Sequence, residues 1–259
     1  MTEQAARSHS MSISPFAYEV PCEACPLRRM DTFRSLSDEE LGFIKKLKTG
    51  ELRSGPGTTV LREGTQSDHL FTVLEGWAFR YKILEDGRRQ ITSFVLPGDF
   101  IGLQSSTEGI MDHSVDTLTS VALCTFPRGR IWEIFKHCPS LAFDLTWLAA
   151  THEVILNENL LSVGRRRAEE CVAYYIVHLY VRASDIGLAV DGRVRFPFTQ
   201  EHLADAIGLS LVHTNKTLRR LSKLGLMEWE HGWCNVPNLQ ALAELAKYDL
   251  TQKRMRPLV

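Results

Sequence analysis

Two groups of residues in this sequence carry chemistry by their type and spacing. The first is Pro21-Cys-Glu-Ala-Cys-Pro26, where two thiols stand three positions apart in a segment punctuated by prolines. Thiolates ligate soft metals and exchange with disulfides, so a close pair points to metal or redox chemistry. Taken alone, the pair fits zinc, a dithiol switch or two incidental cysteines in a loop. The second group lies in residues 210–224, which hold Lys216, Arg219, Arg220 and Lys223 and no Asp or Glu. A helix with that face neutralises phosphates. Asn215 suits adenine and Lys216 suits guanine, whereas Arg219, Arg220 and Lys223 lie further along and suit backbone phosphates. His213 fits either role, or caps the preceding turn. No nucleophile and base share a recognisable spacing, and His69, His113, His137 and His152 are scattered, which disfavours an enzyme.

These side chains need elements to position them. Residues 199–207 read as a helix capped by Thr199, Gly208-Leu209 as a tight turn and 210–224 as a second helix. With small Ala204 at the expected close approach, this is helix-turn-helix syntax. Leu211, Leu218, Leu221 and Leu224 are expected to form the buried stripe of the second helix. Residues 225–236 read as a two-stranded wing turning at His231-Gly232, and 168–183 as a further helix. Upstream, residues 141–163 form an amphipathic run without Gly or Pro, ~35 Å long if helical. Its apolar positions, Leu145, Leu148, Ile155, Leu156, Leu160 and Leu161, need a cover, and a second copy is the simplest one. From 52 to 128 the pattern has period two, with turns at Gly55-Pro-Gly57, Glu75-Gly76, Asp86-Gly87 and Pro97-Gly98-Asp99. Such short strands predict a small sandwich or jelly roll, with Asp86-Gly87 as a hairpin turn. Trp77, Phe79 and Tyr81 are roll core or surface. Ser37 and Glu40 form a capping box ahead of a short helix, and residues 1–20 read as a loose tail.

Composition sets the outer bounds. A chain of 259 residues implies two domains, and 44% hydrophobic with 24% charged residues excludes a largely disordered one. Six cysteines, at 22, 25, 124, 138, 171 and 234, are too sparse and uneven for a disulfide framework. No apolar leader opens the chain, and no apolar run approaches the ~20 residues of a membrane span. A cytoplasmic protein with reduced thiols and no membrane partner is expected. The net charge of −1 hides an asymmetry: residues 165–259 carry 14 Lys/Arg against 10 Asp/Glu, and residues 1–164 carry 16 against 21.

Over nearly its full length the chain resembles the cyclic-AMP-receptor/fumarate-nitrate-reduction (CRP/FNR) family of regulators. The resemblance rests on Gly57-Thr-Thr-Val-Leu-Arg-Glu-Gly64, Leu96-Pro-Gly-Asp-Phe-Ile-Gly102 and Thr199-Gln-Glu-His-Leu-Ala-Asp-Ala-Ile-Gly-Leu209. It implies an α+β fold: a Cys-bearing segment at 1–35, a cyclic-nucleotide-binding-type β-roll (jelly roll) at 36–138, a dimerisation helix at 139–164 and a winged helix-turn-helix at 165–259. It further implies a homodimer on a palindromic site in double-stranded promoter DNA, acting with RNA polymerase. The family's base-reading positions match Val212, Asn215 and Lys216, with Val212 replacing a common Glu; Thr199 and Gln200 open the first helix and join the DNA contacts. Cyclic-nucleotide members carry a ribose-binding Glu and an Arg-Ser/Thr phosphate clamp after the glycine matching Gly102. Residues 103–115 contain no Arg and place Asp112-His113 near the clamp, so no cyclic nucleotide is expected. Iron–sulfur members use Cys-x2-Cys-x5-Cys and a fourth Cys after the roll. Cys22 and Cys25 match the first two, Asp31 stands at the third, and Cys124 matches the fourth. The resemblance thus implies a [4Fe–4S] cluster on Cys22, Cys25, Cys124 and Asp31, read by oxygen, redox state or nitric oxide. Thiol redox, zinc or a small ligand other than cyclic AMP in the roll is the alternative.

Overall fold

The computed structural model describes residues 19–251 and 255–259, so most of the tail expected at 1–20 lies outside the described residues. Helix α1 (Asp38–Leu47) starts at the expected capping box: Glu40 N–H donates to Ser37 Oγ at 3.2 Å, and Ser37 N–H donates to Glu40 Oε2 at 2.7 Å. Eight strands follow: β1 (Gly50–Ser54), β2 (Thr59–Leu61), β3 (His69–Glu75), β4 (Ala78–Ile83), β5 (Arg89–Val95), β6 (Phe100–Ile101), β7 (Ser114–Thr117) and β8 (Val121–Pro127). The short helix α2 (Leu103–Thr107) interrupts them after β6.

They pair antiparallel into two four-stranded sheets, β1-β8-β3-β6 and β2-β7-β4-β5. Period two decides which side chains fill the sandwich. Val121 and Leu123 of β8 join Val73, Val95, Ile101 and Val115 inside. Ala122, Cys124 and Phe126 alternate with them and pack outward with Cys25, Leu27 and Leu47. Trp77 and Phe79 are core, at 6% and 3% exposure. The turn before β6 admits only glycine, because a Cβ on Gly98 would lie 2.3 Å from the Phe33 ring at a φ of +87°.

Helix α3 (Ile131–His137) ends at Cys138, and Pro139 opens α4 (Pro139–Arg165), 27 residues or ~40 Å long. Its buried residues are Leu141, Ala142, Asp144, Leu145, Asn159 and Ser162, whereas Phe143 and Leu160 are 69% and 72% exposed. A long apolar face is therefore left uncovered within one chain.

The C-terminal part comprises α5 (Ala168–Asp185), β9 (Ala189–Val190), β10 (Arg193–Arg195), α6 (Gln200–Ile207), α7 (Leu211–Lys223), β11 (Glu228–Glu230), β12 (Trp233–Asn235) and α8 (Leu239–Ala246). The wing is larger than its hairpin, since β11 and β12 continue into β10 and β9 as one four-stranded sheet. Helix α8, absent from the sequence reading, is capped by Asn238 Oδ1, which accepts from Ala241 N–H at 2.9 Å. The expected leucine stripe on α7 needs correction. Leu211 and Leu224 are 43% and 59% exposed, and the buried side is Thr214, Thr217, Leu218 and Leu221. Threonine methyl groups pack there with leucines, so counting leucines alone misplaced the stripe.

Candidate DNA-reading face and cysteine cavity

Thr199 caps α6, its Oγ1 accepting from His202 N–H at 3.3 Å, so this hydroxyl is committed within the chain; Gln200 follows, half-buried. Gly208 closes α6 at a φ of +70°, and a Cβ there would meet Val163 of α4 at 3.3 Å. Ser210 caps α7 and accepts from His213 N–H at 3.2 Å, while the His213 ring stays exposed. Val212, Lys216, Arg219 and Lys223 recur at helical spacing and are exposed together, with Val212 at 79%. Asn215 is half-buried, and its Oδ1 has no hydrogen-bond partner among the described residues. Arg220 leans back to Glu169 of α5 at 2.7 Å. The roll supports this reading head from behind. Arg89 pairs with Asp205 at 2.7 Å, Gln90 Nε2 donates to the Ala206 carbonyl at 3.1 Å, and His202 packs edge-on against Phe79.

The three candidate thiols line one cavity although two of them lie far from the third in sequence. Cys22, in a 3-10 turn (Cys22–Ala24), together with Cys25 and Cys124, lines one small cavity of about 40 Å³ closed by Thr72, Leu258 and Val259. Strand register puts Cys124 there, opposite Glu51 of β1 and Thr72 of β3. Lys48 lines the same cavity; its Nζ donates to Glu51 Oε1 at 2.9 Å and to the Val20 carbonyl at 2.9 Å. Burial pushes the Cys124 thiol up to about 12 and raises Cys22, with the Lys48 ammonium pulling against both shifts. Cys138, Cys171 and Cys234 are buried and free.

Asp31 does not join them. Leu27 and Phe33 anchor the segment in the core, and Thr32 and Arg34 pair through their backbones with Arg256. That leaves Asp31 exposed on a second cavity of about 750 Å³, between the roll, α4, α5 and residues 255–256. The three thiols share a cavity but stand apart as donors, the expected carboxylate does not complete the set, and a space of one or two waters is tight for a cluster. Among the described residues no three or more His, Cys, Asp or Glu are grouped to hold a metal ion.

The second cavity has a charged inner wall. Asp99 bonds Arg182 at 2.7 and 2.8 Å and Arg256 at 2.6 Å. Burial opposes its ionisation, but Arg182, Arg256 and Arg80 outweigh it and hold the carboxyl well below the usual range. Near the expected phosphate clamp, Asp112 has a cation after all, with Lys82 Nζ at 2.8 Å.

Residues 51–138 match the family described as Cyclic nucleotide-binding domain, and residues 171–245 match the Crp-like helix-turn-helix domain. The chain is 30% identical to the Nitrogen fixation regulation protein FixK of Bradyrhizobium diazoefficiens over 211 residues, covering 82% of this chain and 87% of that one. It is 23% identical to the Anaerobic regulatory protein of Haemophilus influenzae over 233 residues, 90% of each. The solved structure of FixK2 from Bradyrhizobium japonicum superposes with a TM-score of 0.69 at 25% identity, covering 75% of this chain and 96% of that one. These similar proteins are named as regulators, not enzymes, and no described helix is long and apolar enough to cross a membrane. With both halves matched in order and a relative at 30% identity along most of its length, the chain belongs to the CRP/FNR family of transcription regulators.

Proposed function

We propose that two copies of this chain, joined along residues 139–164, bind a palindromic site in double-stranded promoter DNA through α7 and act there on RNA polymerase in the cytoplasm. The exposed face of Val212, Lys216, Arg219 and Lys223 carries this reading. His213, Asn215 and Arg220 border it, and Gln200 at the start of α6 would meet the phosphate backbone, held in place by the Thr199 cap. The sensor is the cysteine cavity. Cys22, Cys25 and Cys124 would hold a [4Fe–4S] cluster, and Asp31 joins them only by leaving the rim of the second cavity. When bound, such a cluster supplies redox chemistry sensitive to oxygen and nitric oxide. Lys48 lowers the cost of deprotonating Cys22 and Cys124, as thiolate ligation requires. Relatives named as anaerobic and nitrogen-fixation regulators support an oxygen-linked signal.

The test is anaerobic purification followed by a visible spectrum with iron and sulfide analysis. The expected protein is brown, with about four irons per chain, and loses colour in air. Cys124→Ser should lose the iron, and Asp31→Ala should bleach faster. A colourless, iron-free anaerobic preparation that still binds DNA sinks the cluster, and an unchanged bleaching rate removes Asp31.

A further inference from the structure

We infer that Val212, seconded by Leu211, reads the 5-methyl group of thymine. The inference rests on the assignment of α7 to the major groove and adds which base its N-terminal tip selects. Val212 is 79% exposed and Leu211 43%, at the first two positions of a helix whose buried side is already filled. Exposed aliphatic residues are ordinary singly; here two adjoin at the end of a helix that presents its bases-reading side chains first. Val212 lies one turn before Lys216 on the same face, and Leu211 one turn before Asn215. The apolar tip therefore leads a polar and cationic stripe, in which Lys216 comes next towards the bases and Arg219 and Lys223 would hold the helix against the phosphates that flank it.

The chemistry of the tip narrows its occupant. Val212 offers neither donor nor acceptor, so it cannot take a hydrogen bond from the cytosine amino group as a carboxylate would. Helix α7 contains no acidic residue that could replace that acceptor. Of the four bases, thymine alone presents an apolar group on the floor of the major groove, and aliphatic side chains are its natural contacts. A branched valine buries that methyl with little loss of side-chain freedom, because its χ1 is already restricted in a helix.

The experiment uses the full chain in its DNA-binding state. Selection from a random duplex pool first gives the preferred site, and each thymine of the half-site is then replaced in turn by deoxyuridine, which keeps the pairing and removes only the methyl. At one or two positions wild-type affinity should fall about fourfold, the size expected for withdrawing one methyl from an apolar contact. In Val212→Ala the same replacement should cost less than about twofold, and selection with Val212→Glu should move that position from thymine towards cytosine. Val212 is exposed, so neither variant threatens folding. Sequence-selective binding that ignores the thymine methyls, or a methyl effect unchanged in Val212→Ala, overturns the inference alone. Failure to select any site overturns the DNA-binding reading with it.

Discussion

Arg219 and Asn215 stand one turn apart on α7 and should divide its work. Arg219 is exposed and too far along the helix for base edges in an N-terminal approach, so Arg219→Ala should weaken binding to every sequence alike and lower the salt dependence by about one charge. Asn215, half-buried one turn nearer the N-terminus, carries an amide suited to adenine once its oxygen turns outward, so Asn215→Ala should relax preference at a single base pair. Anisotropy titrations against matched and mismatched duplexes at several salt concentrations separate the two, and equal effects on specificity would contradict the division. Residue type and helical spacing mark this stretch as a basic helix face, and the structure leaves that face exposed. The family resemblance, not spacing, joined Cys124 to Cys22 and Cys25; alternation along β8 sends Cys124 outward to the cavity that all three line. Asp31 was not legible. Its direction is set by backbone pairing of Thr32 and Arg34 with Arg256, more than two hundred positions away, and no local pattern reports that partner.

Among the elements, α4 makes the plainest demand on a partner. Phe143, Val154 and Leu161 share one face of the helix with Leu160 at its flank, and all four are between 45% and 72% exposed, apolar surface that one chain leaves wet. Leu160→Glu should leave the fold intact, since that side chain is 72% exposed, and should drive the protein to the 29.4 kDa monomer with DNA affinity lost in parallel. Light scattering behind size exclusion checks it. A wild-type monomer, or a variant that stays dimeric, removes α4 from the interface. The helix itself was legible because 23 residues without Gly or Pro keep one apolar period. The wing was legible only as a hairpin. Strands β9 and β10 are two and three residues long, too short for a period-two signal; β12 offers an edge to β10, and β10 in turn offers one to β9. Helix α8 carries an Asn cap and good helix formers, a local signal that a reading centred on the recognition helix passed over.

At the scale of the whole molecule, one buried ion cluster ties the halves together. Asp99 of the roll holds Arg182 of α5 and Arg256 near the end of the chain, and Thr72 of β3 bonds the Val259 carbonyl. One hydrophobic cluster also runs from Leu70 and Phe94 to Leu203 and Leu242. The acidic first part and basic second part are readable in composition, but which charges pair across them is not, because pairing depends on packing. This joint has a pH dependence. Burial lowers His152 and His178 to about 3 and His113 to about 4, each with a nearby arginine adding to the shift. In the unfolded chain these rings take protons near pH 6.5, so as pH falls below that value the unfolded state binds protons the folded state refuses. Each group then removes up to about 1.4 kcal/mol per pH unit until its folded value is reached. Asp99 and Glu40, held low in the fold, extend the loss once pH drops through the ordinary carboxylate range. The thermal midpoint should therefore be level from pH 8 to 7 and fall progressively from pH 6.5 to 4. His178 Nε2 is buried without a hydrogen-bond partner among the described residues, so His178→Phe removes a titrating group and forfeits no hydrogen bond seen there. That variant should match the wild-type midpoint at pH 7 within a few degrees and lose less of it at pH 5. Circular dichroism melts across the series decide it: a flat wild-type profile, or an unchanged slope in His178→Phe, would show that these rings stay solvated and that the joint between the halves is open in solution.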